Sequence, residues 1–373
     1  MPIRYVNRIR AEIPFFVGLV TLCAFLFRGD VWLTNLDDPF VAGVLFTWLF
    51  VAILWGSFGV VHHADALAKS LGEPYGTLIL TLSVTGIEVA LISAIMLSGE
   101  AAPTLARDTM HAVLMLTLNG LVGLAMLLGG LLHREQDYNL QGARSFIAVL
   151  LPLAVITLLL PKFTVSTDAP TFSPLQEGFF ALMSLLLYAI FLGVQTVSHS
   201  GYFQEPRSNL AEIAVVSTGY KPPDSRIYHA IFLLATLLPV LLLSKRMATV
   251  VDFGMVHAGA PIALGGVVIA LMVLTPEGLA ALRAARHNQL QRSVNLLLGS
   301  ALATIGLTVP AVLIISLLIG SPVTLGLDDA SAALLLLTLV MSTITFGGVR
   351  TGVLQGAVHL VLFLAYVFLI FSP

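Results

Sequence analysis

Long apolar runs, broken at regular intervals by short polar segments, set the pattern of this chain. About 20 consecutive apolar residues cross a hydrocarbon core of roughly 30 Å. That rule predicts eleven helices, over 13–28, 40–62, 74–97, 110–132, 144–160, 177–198, 228–244, 260–281, 294–318, 330–346 and 353–371. The first follows a basic start (Arg4, Arg8, Arg10) and so resembles a signal peptide. No small-residue cleavage pattern follows it, and Arg28-Gly29-Asp30 comes next, so it is read as an uncleaved first spanning helix.

The arrangement of the runs predicts more than their number. The longest polar stretch, 200–227, holds Pro206, Pro222 and Pro223 and mixed charge, and reads as a cytoplasmic linker. It leaves a first segment with one helix (1–39), a five-helix group (40–199) and a second five-helix group (228–373). Five crossings are odd, so the second group is inverted relative to the first. The expected fold is an all-α integral membrane protein with one peripheral helix and two inverted-topology five-helix repeats. Inverted repeats of this kind characterise secondary transporters.

Lys and Arg placement gives an independent reading of orientation, because cytoplasmic loops carry the excess. With the N-terminus inside, Arg28, Arg107, Lys162, Lys245 and Arg246 fall outside and the other thirteen of the 18 basic residues fall inside. The expectation is a multi-pass protein with a cytoplasmic N-terminus and an external C-terminus.

Composition agrees with the pattern: 58% of residues are hydrophobic, 10% are charged and the mean hydropathy is +0.97. A soluble domain carries about 25% charged residues. The formal net charge of −2 gives no basis for a nucleic-acid partner, and the single cysteine, Cys23, rules out a thiolate metal cluster. The expected partners are the lipid bilayer, inorganic cations and protons, with no cofactor.

Two acids interrupt the apolar pattern. Glu88 and Glu277 each lie twelve residues after a glycine, Gly76 and Gly265. Twelve helical residues rise about 18 Å, so both carboxylates are expected near the midplane, approached from opposite faces. An ionisable group at that depth is costly and usually faces a partner, a cavity or an ion path. Thr81 and Thr85 precede Glu88 by seven and three residues, on the same helical face. Thr275 is the polar neighbour of Glu277, and Pro276 lacks the N–H that would pair the carbonyl of Met272. The following helix of each half carries amide and small residues. Asn119, Gly120 and Gly123 lie on one, and Asn295, Gly299, Ser300, Ala303 and Thr304 on the other.

Carboxylate, amide, hydroxyl and carbonyl oxygens without paired Cys or His suit a hard cation such as Ca²⁺. Glu88 and Glu277 are thus the expected metal and proton ligands, with Thr81, Thr85, Met272, Thr275, Asn119, Asn295 and Ser300 as supporting oxygens. When the metal leaves, protons can neutralise the same carboxylates, which is the chemical basis of antiport.

Other polar groups have plainer readings. His62-His63 with Asp65 reads as a wet cytoplasmic loop, with a metal site or proton relay as the alternative. His359 reads as a hydrogen-bonded packing residue. Arg283, Arg286 and Arg292 read as positive-inside residues, and Asp37-Asp38 and Asp328-Asp329 as solvated turns or outer-mouth charges.

Two stretches carry a family resemblance. HHADALAKSLGEPYGTLILTLSVTGIEVALISAIML (62–97) and LTPEGLAALRAARHNQLQRSVNLLLGSALATIGLTVPAVLI (274–314) resemble the two signature regions of bacterial calcium/cation–proton antiporters, within the calcium/cation antiporter superfamily. The resemblance implies a cation/proton exchanger of the bacterial inner membrane, using Ca²⁺ foremost, with Na⁺ or K⁺ as the alternative. It assigns the signature acids to Glu88 and Glu277. The chain departs from the family in lacking the asparagine that often precedes each acid. Its linker is of mixed charge, so acidic-loop regulation is not predicted. A membrane enzyme would need a polar cluster at one face, such as HExxH, and the sequence has none.

Overall fold

The computed structural model describes residues 12–71, 75–98, 104–206, 225–320 and 322–372. Among them eleven long helices run in chain order: α1 Ile13–Leu33, α2 Pro39–Leu71, α3 Tyr75–Ser98, α4 Leu105–His133, α5 Leu140–Lys162, α6 Pro174–Ser198, α7 Arg226–Ala258, α8 Ile262–Arg286, α9 Leu290–Ile319, α10 Asp329–Thr345 and α11 Val353–Phe371. Nine of the described helical stretches are long and apolar enough to cross a membrane; α10 and the Thr81–Ser93 part of α3 are shorter apolar helices. In a bilayer every backbone polar group must be paired internally, so apolar runs of this length fold as helices.

The two five-helix groups correspond in the lengths of their first three helices. α2 and α7, the first helices of the two groups, are each 33 residues long. The third helices, α4 and α9, span 29 and 30 residues and are each interrupted by a π-helical turn, at Leu116–Leu121 and Thr304–Thr308. Such turns occur often at functional sites. The halves interlock at glycines. A Cβ on Gly266 of α8 would sit 2.8 Å from the backbone of Asp108 on α4, and Gly299 of α9 lies against Thr81 of α3. Small residues let helices approach closely where lipid offers no hydrophobic drive to association.

Three features differ from the expectation. A two-stranded antiparallel ribbon joins the halves at one end, β1 Glu135–Asp137 with β2 Arg350–Gly352, and Arg350 bonds Asp137 at 2.8 Å. The second helix runs on to Leu71 rather than ending near 62, because Ala64 to Leu71 is built mostly of good helix formers. His62, His63 and Asp65 are therefore helical, not a loop. The seventh helix likewise runs on to Ala258, so Lys245 and Arg246 are helical, and Arg246 reaches Asp30 at 2.5 Å. Of the expected 200–227 linker, residues 200–203 form a 3₁₀ turn and 207–224 lie outside the described residues.

Candidate cation site

Glu88 and Glu277 come from near the middles of α3 and α8, and each is only 1% exposed. They lie close enough for one charge to act on the other. Thr304 of α9 donates a hydrogen bond to Glu88 Oε2 at 2.7 Å, and the Thr308 hydroxyl lies beside the same carboxylate. Beside Glu277 lie the hydroxyls of Ser300 from α9 and Thr81 from α3. Residues 300, 304 and 308 recur every four positions, so α9 lays one hydroxyl stripe past both acids. Its π turn starts at Thr304, at the contact with Glu88.

Among the described residues, Glu88 Oε1, both oxygens of Glu277 and the hydroxyls of Thr81, Thr85 and Thr308 are buried without a hydrogen-bond partner. Buried polar atoms are nearly always paired, and each exception calls for an explanation. A dry cluster of hard oxygens carrying two carboxylates has the chemistry of a site for a hard cation or for protons. Met272 is fully buried one turn before Pro276, and that proline removes the helical partner of the Met272 carbonyl.

Three of the expected supporting ligands are committed elsewhere, and these expectations are corrected. Asn119 donates to Thr338 at 2.8 Å, and its Oδ1 lies 3.0 Å from Nδ1 of His359. The other ring nitrogen of His359 lies 3.0 Å from Thr345 Oγ1, so His359 is a packing histidine that joins α4, α10 and α11. Asn295 donates to the Phe203 carbonyl at 2.6 Å and accepts from Gln291 at 2.7 Å. Thr275 donates to the Leu271 carbonyl of its own helix at 2.5 Å. Thr304 had been named only among the polar and small residues of its helix, and Thr308 was not singled out; their fourfold spacing from Ser300 was the available signal.

A cavity opens at each end of the molecule, and one of the two reaches the residue beside Glu277. One of about 450 Å³ opens between α2, α8 and α9, lined by His62, Asp65, Arg283, His287 and Arg292, and reaches Pro276, next to Glu277. Arg292 pairs with Asp65 across its mouth at 2.5 Å, so this arginine is more than a topological marker. At the other end a cavity of about 290 Å³ is lined by Arg107, Asp108, His111, Asp328 and Tyr366. Desolvation raises the Asp328 carboxyl, but the Ser331 N–H and hydroxyl and the nearby Arg107 outweigh it and hold it below the usual carboxylate value. Asp328 caps α10 through the Ser331 N–H at 2.9 Å, and Asp329 pairs with Lys162.

Residues 41–197 and 227–372 match the family described as sodium/calcium exchanger protein. The chain belongs to this family. It is 42% identical over 322 residues to the sodium-potassium/proton antiporter ChaA of Escherichia coli K12, covering 86% of this chain and 87% of that protein. It is also 42% identical over 317 residues to the putative ionic transporter y4hA of Sinorhizobium fredii, covering 85% of each. Among solved structures it resembles native YfkE, with a TM-score of 0.72 at 17% identity over 96% of this chain and all of the other. A H⁺/Ca²⁺ exchanger CAX follows at 0.66 and 17% identity over 95% and 89% of the two chains. These likenesses establish the fold of the family's helical exchangers. The chain is a multi-pass membrane antiporter of cations, not an enzyme.

Proposed function

We propose that the chain exchanges cytoplasmic cations, Ca²⁺ foremost, for protons at Glu88 and Glu277 by alternating access. The carrying observation is the buried cluster of unpartnered oxygens around two carboxylates. Two negative charges match one divalent ion, and the surrounding Thr81, Thr85, Ser300, Thr304 and Thr308 hydroxyls and the Met272 carbonyl supply further hard donors. Without the ion, protons on the two carboxylates remove the cost of burying bare charge. The site therefore switches its access from one face to the other loaded with either a cation or protons, and coupling follows.

Residues 40–199 and 228–373 act as the two repeats, with 1–39 peripheral and 200–227 a cytoplasmic linker. The protein sits in the bacterial inner membrane with its N-terminus inside. The cavity ending at Pro276 is then the cytoplasmic vestibule, and the one at Asp108 and Asp328 is the external one.

A second reading on the same site makes Na⁺ or K⁺ the main cargo. The 42% identity to a protein named as a sodium-potassium/proton antiporter favours it. Everted vesicles holding an acid interior separate the two. Ca²⁺ is expected to dissipate the pH gradient at the lowest concentration; dissipation by Na⁺ or K⁺ alone would establish the second reading.

A further inference from the structure

The cavity that reaches Pro276 carries an unexpected charge for the mouth of a cation site. Pro276, Ala280, Arg283 and Ala284 of α8 all line it. These positions recur at helical spacing and so form one face of the helix. Arg283 therefore shares a face with the residue beside Glu277, seven positions further on. Seven helical residues rise about 10 Å, and long side chains lean toward the N-terminus of their helix. The Arg283 side chain thus leans along the cavity toward Pro276.

The two arginines of the lining differ in their partners. Arg292 is bonded to Asp65 at 2.5 Å. Arg283 is exposed, and among the described residues no acid is paired with it. His62 and His287 are the other titratable groups of the lining, and histidine is normally uncharged at about pH 8. Two arginines then face one aspartate. The cavity at the opposite end has the reverse excess, because Arg107 bonds Asp108 at 2.8 Å and Asp328 adds a second carboxylate.

A fixed charge acts on a mobile ion in proportion to the ion's valence. One positive charge that lowers the local concentration of a monovalent cation by some factor lowers that of a divalent cation by the square of it. At about 10 Å in water the factor is roughly two, hence about four for a divalent ion. Salt shrinks both effects as the Debye length contracts.

We propose that Arg283 is a valence filter on the approach to Glu277, disfavouring divalent relative to monovalent cations. The inference rests on the reading that cations load at Glu277, and the filter is cytoplasmic under the orientation given above. The two carboxylates by themselves favour a divalent ion. Arg283 narrows that advantage for ions arriving through this cavity, so the ion preference of the exchanger is set at the mouth as well as at the carboxylates.

The test compares KM values for Na⁺ or K⁺ and for Ca²⁺ in everted vesicles at about pH 8 and about 10 mM ionic strength, where the Debye length is about 30 Å. A cation that is not exchanged is read as a competitor of one that is. Arg283→Gln is expected to lower the monovalent constant about twofold and the Ca²⁺ constant about fourfold. Arg283→Glu changes the charge by two and is expected to give about fourfold and about sixteenfold. Arg283→Lys keeps the charge and should restore both wild-type constants. In about 0.5 M choline chloride the differences should shrink toward one. The same pair of shifts seen only in right-side-out vesicles would keep the filter and reverse the assigned orientation. Equal shifts for both valences, shifts that persist in high salt, or none at all would overturn the filter. Failure of the underlying reading has a different sign, namely exchange that survives Glu277→Gln.

Discussion

Replacing Thr304 with valine removes one hydroxyl and keeps the shape of the side chain. The hydroxyl donates at 2.7 Å to Glu88 Oε2, and with Glu88 Oε1 already unpartnered it is the one hydrogen bond recorded for that carboxylate among the described residues. A hydrogen bond to a charged group contributes about 1.5–3 kcal/mol. The variant loses that stabilisation of the charged carboxylate, the form that binds a cation, while a protonated carboxyl is little affected. At 1.4 kcal/mol per tenfold, the KM for the exchanged cation should rise by roughly 10- to 100-fold at neutral pH. Thr304→Ser restores the donor and should stay near wild type. The assay is initial-rate exchange against cation concentration in everted vesicles, with protein amount normalised. A wild-type KM in Thr304→Val would refute the reasoning, because this hydroxyl would then contribute nothing to the charged site.

Other substitutions separate the site from its surroundings. Pro276→Ala gives the Met272 carbonyl back its helical partner, so cation affinity should fall while thermal stability in detergent holds or rises; unchanged affinity would remove that carbonyl from the site. Asn119→Leu strands Thr338 and His359 and should cost about 1–3 kcal/mol of stability, with the cation KM unmoved in the same transport assay. The Asp65–Arg292 pair is about one-third exposed, and such pairs contribute roughly 0–1 kcal/mol. Asp65→Asn should therefore shift the thermal midpoint little and change exchange rates less than about fivefold.

Particular residues show what the sequence could reveal. Glu88 and Glu277 stand out in the sequence as charged groups inside apolar runs, and the structure buries both near each other. The eleven helices were legible because runs of that length have one stable backbone solution in lipid. Helix ends were less so. Polar segments such as His62 to Leu71 and Lys245 to Ala258 continue their helices because the residues favour helix and membrane depth no longer constrains them. Asn119 and Asn295 were drawn toward the acids by their polarity, yet each finds nearer partners across other interfaces. The stripe through Ser300, Thr304 and Thr308 was present in the spacing. Threonine hydroxyls in such helices commonly bond their own carbonyls, as Thr275 does, so only the packing of α9 against α3 distinguishes Thr304. The buried contact of His63 with Glu12 at 3.2 Å and with His229 at 3.0 Å was out of reach, because it depends on how three distant segments dock.

The claim that both carboxylates carry the cargo is tested most directly by ⁴⁵Ca²⁺ uptake into everted vesicles under an imposed pH gradient, comparing wild type with Glu88→Gln and Glu277→Gln. Each glutamine keeps the size of the side chain and removes its ability to carry charge or exchange a proton. Wild type should accumulate Ca²⁺ until the gradient collapses, and both variants should stay at the level of vesicles without the protein. Wild-type uptake in either variant would contradict the two-glutamate site.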